Sequence, residues 1–322
     1  MQPDDLAETQ LACDSIHPNS ADIEADTHRW AIERKLTEPK GEGAAAFAQA
    51  RFPRLAARIF PTVPVDRVRD YARWLILLFA LDDRCEYSHP QAIVDLYQRI
   101  ATALARPSVT PNDHLVCAIG EEWQKLAGRM SLAWQARFVR HLDRHGQAAV
   151  WEAKLRNDRR TPPLAEFIDL RGWANGAFMW DLIEAVHACE VPHAITRTFA
   201  WRYLATCSNQ ITSWRNDLIS LEKEKHQKHK DNYVIVLANS ASCSEEKASS
   251  CIERQIACRV RDILYYEDAV LREVRTLESS QARPLTSVVH TFRTLPAAHA
   301  HWVLESGRYV IPRYCTAQTS EE

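Results

Sequence analysis

Two short oxygen-rich stretches hold the side chains of this chain best suited to chemistry. The first, Ala80-Leu81-Asp82-Asp83-Arg84-Cys85-Glu86-Tyr87, sets two adjacent aspartates and a glutamate at the end of the apolar run Trp74 to Leu81. On a helix Asp82 and Glu86 stand at i and i+4 and project together, with Asp83 just beside them. Three carboxylates on one edge can bind a hard cation. At the inner end of a buried helix they need a counterion, because an unpaired buried carboxylate is very costly. With 42 acids in 322 residues, a match of this type arises about 0.7 times per chain by chance, and Asp4-Asp5-Leu6-Ala7-Glu8 is a second copy. That copy sits in a polar stretch, so context favours residues 82–86. The plainer reading is a solvated helix end with Arg84 as partner.

The second stretch is Asn216-Asp217-Leu218-Ile219-Ser220-Leu221-Glu222-Lys223-Glu224. Asn216, Ser220 and Glu224 recur every fourth residue, about 40° apart per step, so an amide, a hydroxyl and a carboxylate form one oxygen stripe. Magnesium takes octahedral oxygen ligation and keeps several waters or phosphate oxygens. Three protein oxygens therefore suit one Mg²⁺ and leave room for a diphosphate. Such a pattern arises by chance in roughly one chain in a thousand. Its plainer reading is a polar helix face running into the basic segment that follows, where His226 and His229 flank lysines as a solvated patch.

The elements that position these stretches are helical. Only eight glycines occur and no GxGxxG or Walker loop is present, which disfavours turn-rich β folds and glycine-cradled nucleotide folds. Helical periodicity predicts segments at 64–87, 90–105, 111–157 (two helices), 164–190, 195–226, 245–278 and 296–311. Gly172 and Gly176 predict a break within 164–190, since an interior glycine costs about 1 kcal/mol relative to alanine. Net charge of −2 with both signs interspersed gives no footprint for nucleic acid. No apolar run reaches membrane-spanning length. Nine cysteines without a CxxC pair read as reduced thiols of a cytoplasmic protein. The first 28 residues hold seven acids and no Lys or Arg. That reads as a disordered acidic tail (1–28), followed by one helical domain (29–312) and a C-terminal tail (313–322).

With these motifs the sequence resembles the class I terpene synthases, most of all the compact single-domain microbial type. The resemblance spans about residues 30–312 and rests on Asp82-Asp83-Arg84-Cys85-Glu86, on Asn216/Ser220/Glu224 with Lys223, and on the pair Arg308-Tyr309. It implies an all-α bundle around a central cavity, where the two acidic helices hold three Mg²⁺ ions, with Mn²⁺ a substitute, against the diphosphate of a prenyl substrate. It implies Asp82, Asp83, Glu86, Asn216, Ser220 and Glu224 as metal ligands; Glu86 stands where an aspartate is more usual. It also implies a diphosphate-sensing arginine about 45 residues before the triad, beside a helix break. Arg171, followed by Trp173-Ala174-Asn175-Gly176, meets both requirements. The resemblance admits a homodimer.

Metal ions, Arg171, Lys223, Arg308 and Tyr309 would then assist C–O heterolysis, and aromatic faces would stabilise the allylic cation by roughly 0.5–2 kcal/mol each. Phe79, Trp173, Asn175, Trp180, Trp214 and Trp302 are the expected substrate contacts, chosen for helical proximity to the motifs. Farnesyl diphosphate is the favoured substrate and geranylgeranyl diphosphate the next. A chain-elongating prenyltransferase would carry two aspartate-rich motifs, whereas here the second is Asn/Ser/Glu. A non-catalytic helical binding protein would need neither motif.

Overall fold

The computed structural model describes residue 11 and residues 15–106 and 112–309. In chain order the helices are α1 (Ser20–Glu33), α2 (Glu42–Ala50), α3 (Phe52–Ile59), α4 (Val65–Glu86), α5 (Pro90–Ala105), α6 (His114–Ala127) and α7 (Leu132–Asp158). They continue as α8 (Leu164–Ala174), α9 (Phe178–His187), a single turn at His193–Thr196, then α10 (Phe199–His226), α11 (Tyr233–Ala241), α12 (Glu245–Val274) and α13 (Ser279–Glu305), closed by a 3₁₀ turn at Gly307–Tyr309. No strand occurs among the described residues.

Local chemistry starts several of these helices. Asp113, Ser131, Thr198 and Asn232 each accept a hydrogen bond from a backbone N–H of the first turn of α6, α7, α10 and α11, satisfying donors the helix leaves open. α4 is apolar on most of its circumference, with Tyr71, Trp74, Leu75, Leu77, Leu78 and Leu81 buried, and so lies inside the bundle. Helices α1, α3, α6 and α9 pack on it, and α10 runs along α12 and α13. The ends of α4 and α10 that carry the two motifs thereby border one interior space.

The expected break is present between α8 and α9. Gly176 has φ +73°, a region an L side chain rarely adopts, and a Cβ there would meet Leu78 Cδ1 at 2.8 Å. Glycine is needed for the turn and for the close approach of α4.

Three expectations need correction. The acidic segment 1–28 is not a free tail throughout: α1 begins at Ser20 and buries Ile23 and Thr27 completely. Its acids have partners, Asp26 meeting Arg73 at 3.2 Å and Glu24 meeting Arg54 at 3.8 Å. Charge count registers acids but not the bases that the fold brings to them. The last helix starts at Ser279 rather than 296 and passes through Pro284 and Pro296; burial of Leu285, Val288, Val289 and Phe292 outweighs the backbone cost of proline. Short helices α2, α3 and α11 also form where no helix is expected. The 4–8 acidic copy and the 313–322 tail lie outside the described residues.

Candidate active site

A cavity of about 200 Å³ runs between α3, α4, α8, α9, α10 and α13. Its inner part is apolar, walled by Leu55, Leu75, Leu78, Met179 and Leu295. One or two turns further along α4 and α10 the lining changes to Asp82, Glu86, Asn216, Ser220 and Glu224. The stripe on α10 is continuous because Thr212, Asn216, Ser220 and Glu224 repeat at four-residue intervals and all reach this cavity. Between Leu75 and Asp82 the helix rises by about 10 Å. An elongated apolar pocket thus ends in a polar mouth.

Neighbours from distant parts of the chain orient each motif residue. Asp82 lies 3.3 Å from Nε2 of buried His145, whose Nδ1 meets the Tyr97 hydroxyl at 2.5 Å. Glu86 accepts from Gln227 Nε2 at 2.7 Å. Ser220 donates to the Asn216 carbonyl at 2.7 Å. Asn232 donates to Glu224 Oε2 at 2.9 Å and to the Asp217 carbonyl at 2.7 Å. Burial, with the Asp217 charge adding to it, pushes the Glu224 carboxyl up to about 7. Glu152 of α7 is likewise raised to about 8, by burial first and by Asp231 second.

Arg171, in the last turn of α8, grips Asp217 through three hydrogen bonds of 2.6–3.1 Å. Burial opposes the guanidinium charge, but the attraction of Asp217 outweighs it and holds the Arg171 pKa above its ordinary value. Asp217 therefore anchors Arg171 at the cavity wall, where one break of the chain follows at Asn175–Ala177.

The C-terminal pair spans both motif helices. Arg308 donates to Asp83 Oδ1 at 2.7 Å and lies 4.7 Å from the Phe79 ring centroid. Tyr309 donates to Asn216 Oδ1 at 2.7 Å. Both line the cavity, as does Lys223. The turn is held in place because Glu305, ending α13, takes hydrogen bonds from Arg54 and Arg58 of α3. Burial alone would raise the Glu305 carboxyl, yet these bonds hold it down at about 2.

Of the expected contacts, Phe79, Asn175 and Trp180 line the cavity. Trp173, Trp214 and Trp302 do not. Trp173 and Trp214 border a separate cavity of about 310 Å³ behind α8 and α10, with Trp180 and Arg171 forming the shared wall. The reason is angular: Trp173 follows Arg171 by two residues and Trp214 precedes Asn216 by two, which is about 200° around a helix. Trp302 is fully buried, donating to the carbonyls of Ala50 and Arg51 at 3.0 Å and backing Phe79 at 5.7 Å. Asp83 is 53 % exposed and sits at the rim beside Arg308. His145, Gln227 and Asn232 were not anticipated. Asn232 alone had a readable signal, as an N-cap residue before the apolar run Tyr233 to Leu237.

The donor set fits hard divalent cations. Each motif side chain on the two stripes offers an oxygen, and no group of three His, Cys, Asp or Glu side chains forms a preassembled metal site among the described residues. Asp82, Glu86 and Glu224 face the mouth together, while two of its three cationic side chains, Arg171 and Arg308, are already paired with Asp217 and Asp83. A diphosphate would meet net repulsion there unless cations came between.

The family model described as terpene synthase family 2, C-terminal metal binding, matches residues 73–262. Epi-isozizaene synthase of Streptomyces coelicolor is 25 % identical over 319 residues, covering 92 % of this chain and 85 % of that protein. The 7-epi-alpha-eudesmol synthase ((2E,6E)-farnesyl diphosphate cyclizing) of Streptomyces viridochromogenes is 26 % identical over 306 residues, covering 91 % and 88 %. The solved structure of a-eudesmol synthase has the same fold, with a TM-score of 0.80 over 91 % of this chain and 97 % of that one at 22 % identity. The matched span contains both oxygen stripes, Arg171 and the glycine break, and the chain belongs to terpene synthase family 2.

Proposed function

We propose that this protein is a Mg²⁺-dependent sesquiterpene cyclase that ionises farnesyl diphosphate and releases diphosphate and a cyclic terpene. The observation that carries this reading is the single cavity that the Asp82/Glu86 and Asn216/Ser220/Glu224 stripes share, bridged by Arg308 to Asp83 and Tyr309 to Asn216. Relatives whose printed names include farnesyl diphosphate support the substrate. Asp82 and Glu86 with Asp83 at the rim would hold metal on one side, and Asn216, Ser220 and Glu224 on the other. Three Mg²⁺ ions, with Mn²⁺ as a substitute, would supply Lewis-acid neutralisation of the leaving diphosphate. The reduced thiols of Cys85, Cys189, Cys207, Cys243, Cys251 and Cys258 support a cytoplasmic location.

The chain's own groups have distinct tasks. Lys223 and Arg308 donate to diphosphate oxygens as charge builds on them, and Arg171 senses the same anion through its wall position. The electron pair of the C–O bond leaves with the diphosphate, and an allylic cation remains in the apolar part of the cavity. Phe79 and Trp180 offer π faces to that cation, while Leu55, Leu75, Leu78 and Leu295 keep water from it. Purified protein incubated with C10, C15, C20 and C25 diphosphates, with Mg²⁺ and with EDTA, tests the reading. Cyclic C15 product formed only with metal is expected. Activity confined to C20, or independent of metal, would refute the substrate or the metal assignment respectively.

A further inference from the structure

His299 lies on α13 at the apolar part of the cavity, one turn beyond Leu295. The residue is 7 % exposed, and its Nδ1 is fully buried without a hydrogen-bond partner. Most buried polar atoms are paired, because leaving one unmade is costly, and an exception calls for a use. Its neighbours give no ordinary explanation. Trp302 stands against it, ring centroids 5.5 Å apart, and spends its own N–H on the Ala50 and Arg51 carbonyls. Thr212, across the cavity on α10, donates to the Ser208 carbonyl at 2.8 Å. Burial, reinforced by the positive charge of Arg215, lowers the His299 pKa to about 4, so the imidazole is neutral at physiological pH. A neutral imidazole carries one basic nitrogen and one N–H.

Resting on the cyclase reading above, we propose that His299 is the base that ends the reaction by taking a proton from the final carbocation. A C–H bond next to the cationic carbon breaks, and its electron pair forms the C=C bond of the olefin. The proton passes to Nε2, the ring nitrogen that is not closed off from the cavity, giving imidazolium, which returns it to diphosphate or solvent when the cavity opens; fully buried Nδ1 carries the N–H of the neutral ring. The balance is prenyl diphosphate to cyclic olefin, diphosphate and one proton. A weak base suffices, because a carbocation is a far stronger acid than imidazolium. Position decides more than basicity: the carboxylates Asp82, Glu86 and Glu224 and the other imidazole of this cavity, His229 beside Glu86 and Gln227, lie at the mouth, whereas His299 stands among Leu295, Leu78 and Trp302.

The test compares His299→Ala and His299→Phe with the unsubstituted enzyme, reading the proportions of products per diphosphate released from farnesyl diphosphate and Mg²⁺. The main olefin should fall at least about threefold as a share of product in both variants, with isomeric olefins or alcohols rising. Imidazole added to His299→Ala should restore the original proportions, while pyrrole, of the same size but without a basic nitrogen, should not. Equal restoration by pyrrole would reduce His299 to a wall residue, and unchanged proportions in both variants would overturn the proposal. Should neither variant fold, ¹⁵N NMR of histidine in the intact enzyme still decides. A His299 imidazole already protonated at pH 7.5 would overturn the proposal, and a neutral one supports it. Failure of the unsubstituted enzyme to turn over farnesyl diphosphate would instead refute the cyclase reading itself.

Discussion

Replacing Arg308 separates its contacts in the folded protein from the part proposed for it with diphosphate. In the protein as folded, Arg308 pairs with Asp83 and covers the Phe79 and Phe52 rings at 4.7 and 5.6 Å. Asp83 is half exposed, so losing that ion pair costs about 0–1 kcal/mol, and the lost ring contacts add about 0.5–1 kcal/mol each. Arg308→Ala should therefore remain folded, with stability lowered by roughly 1–3 kcal/mol. Its effect on catalysis should be larger in proportion. A hydrogen bond from a charged donor to the departing diphosphate contributes about 1.5–3 kcal/mol, and 1.36 kcal/mol is a factor of ten. Loss of that bond only as negative charge develops predicts kcat lower by about 10- to 100-fold with KM nearly unchanged. Arg308→Lys, which retains charge but not the planar stack, should fall between the two. Steady-state diphosphate release gives kcat and KM, and thermal unfolding gives the stability term. An unsealed mouth should also admit water and raise the share of acyclic and hydroxylated products. Unchanged kcat, or a rise in KM alone, would show that Arg308 contributes no stabilisation specific to ionisation.

Arg171→Ala leaves Asp217, only 2 % exposed as a side chain, without its partner, and should destabilise the fold by about 3–5 kcal/mol in denaturant titrations. Adding Asp217→Asn should recover at least about 1 kcal/mol of that loss, and additive effects would refute a coupled pair. Gly176→Ala, forced to φ +73° against Leu78, should cost about 1–3 kcal/mol, seen as a lower Tm, whereas Gly43→Ala, with open space around it, should not. Burial and the nearby Arg67 charge hold His187 at about 4 in the folded protein, against 6.5 ordinarily. The unfolded chain therefore takes up the proton first as pH falls, and His187 costs the fold up to about 1.4 kcal/mol per pH unit between about 6.5 and 4. Denaturation midpoints for His187→Gln should fall less steeply across that window, and an identical slope would exclude the assignment.

Much of the site was readable before any fold because its parts lie within single helices. A rise of 1.5 Å and a turn of 100° per residue set the direction of Ser220 relative to Asn216 whatever surrounds them. The same arithmetic found the Asp82/Glu86 edge, and glycine's backbone freedom marked the break at 176. That geometry also contained a correction that proximity in sequence concealed, since Trp173 and Trp214 sit two residues from the motif and hence on the far face. Contacts between helices were not readable. His145 beside Asp82, Asn232 on Glu224, Tyr309 on Asn216 and the buried Nδ1 of His299 depend on segments 8 to 93 residues apart or on no partner at all. Helical periodicity states which face of a helix is apolar, and many neighbours can cover the same face. The acidic N-terminal segment shows the limit most plainly. Its composition resembles a solvated tail, yet Ile23 and Thr27 fit against the bundle while Arg73 and Arg54 meet its acids. Charge and hydropathy along the chain determined what each segment could tolerate, and only packing in three dimensions decided which neighbours it received.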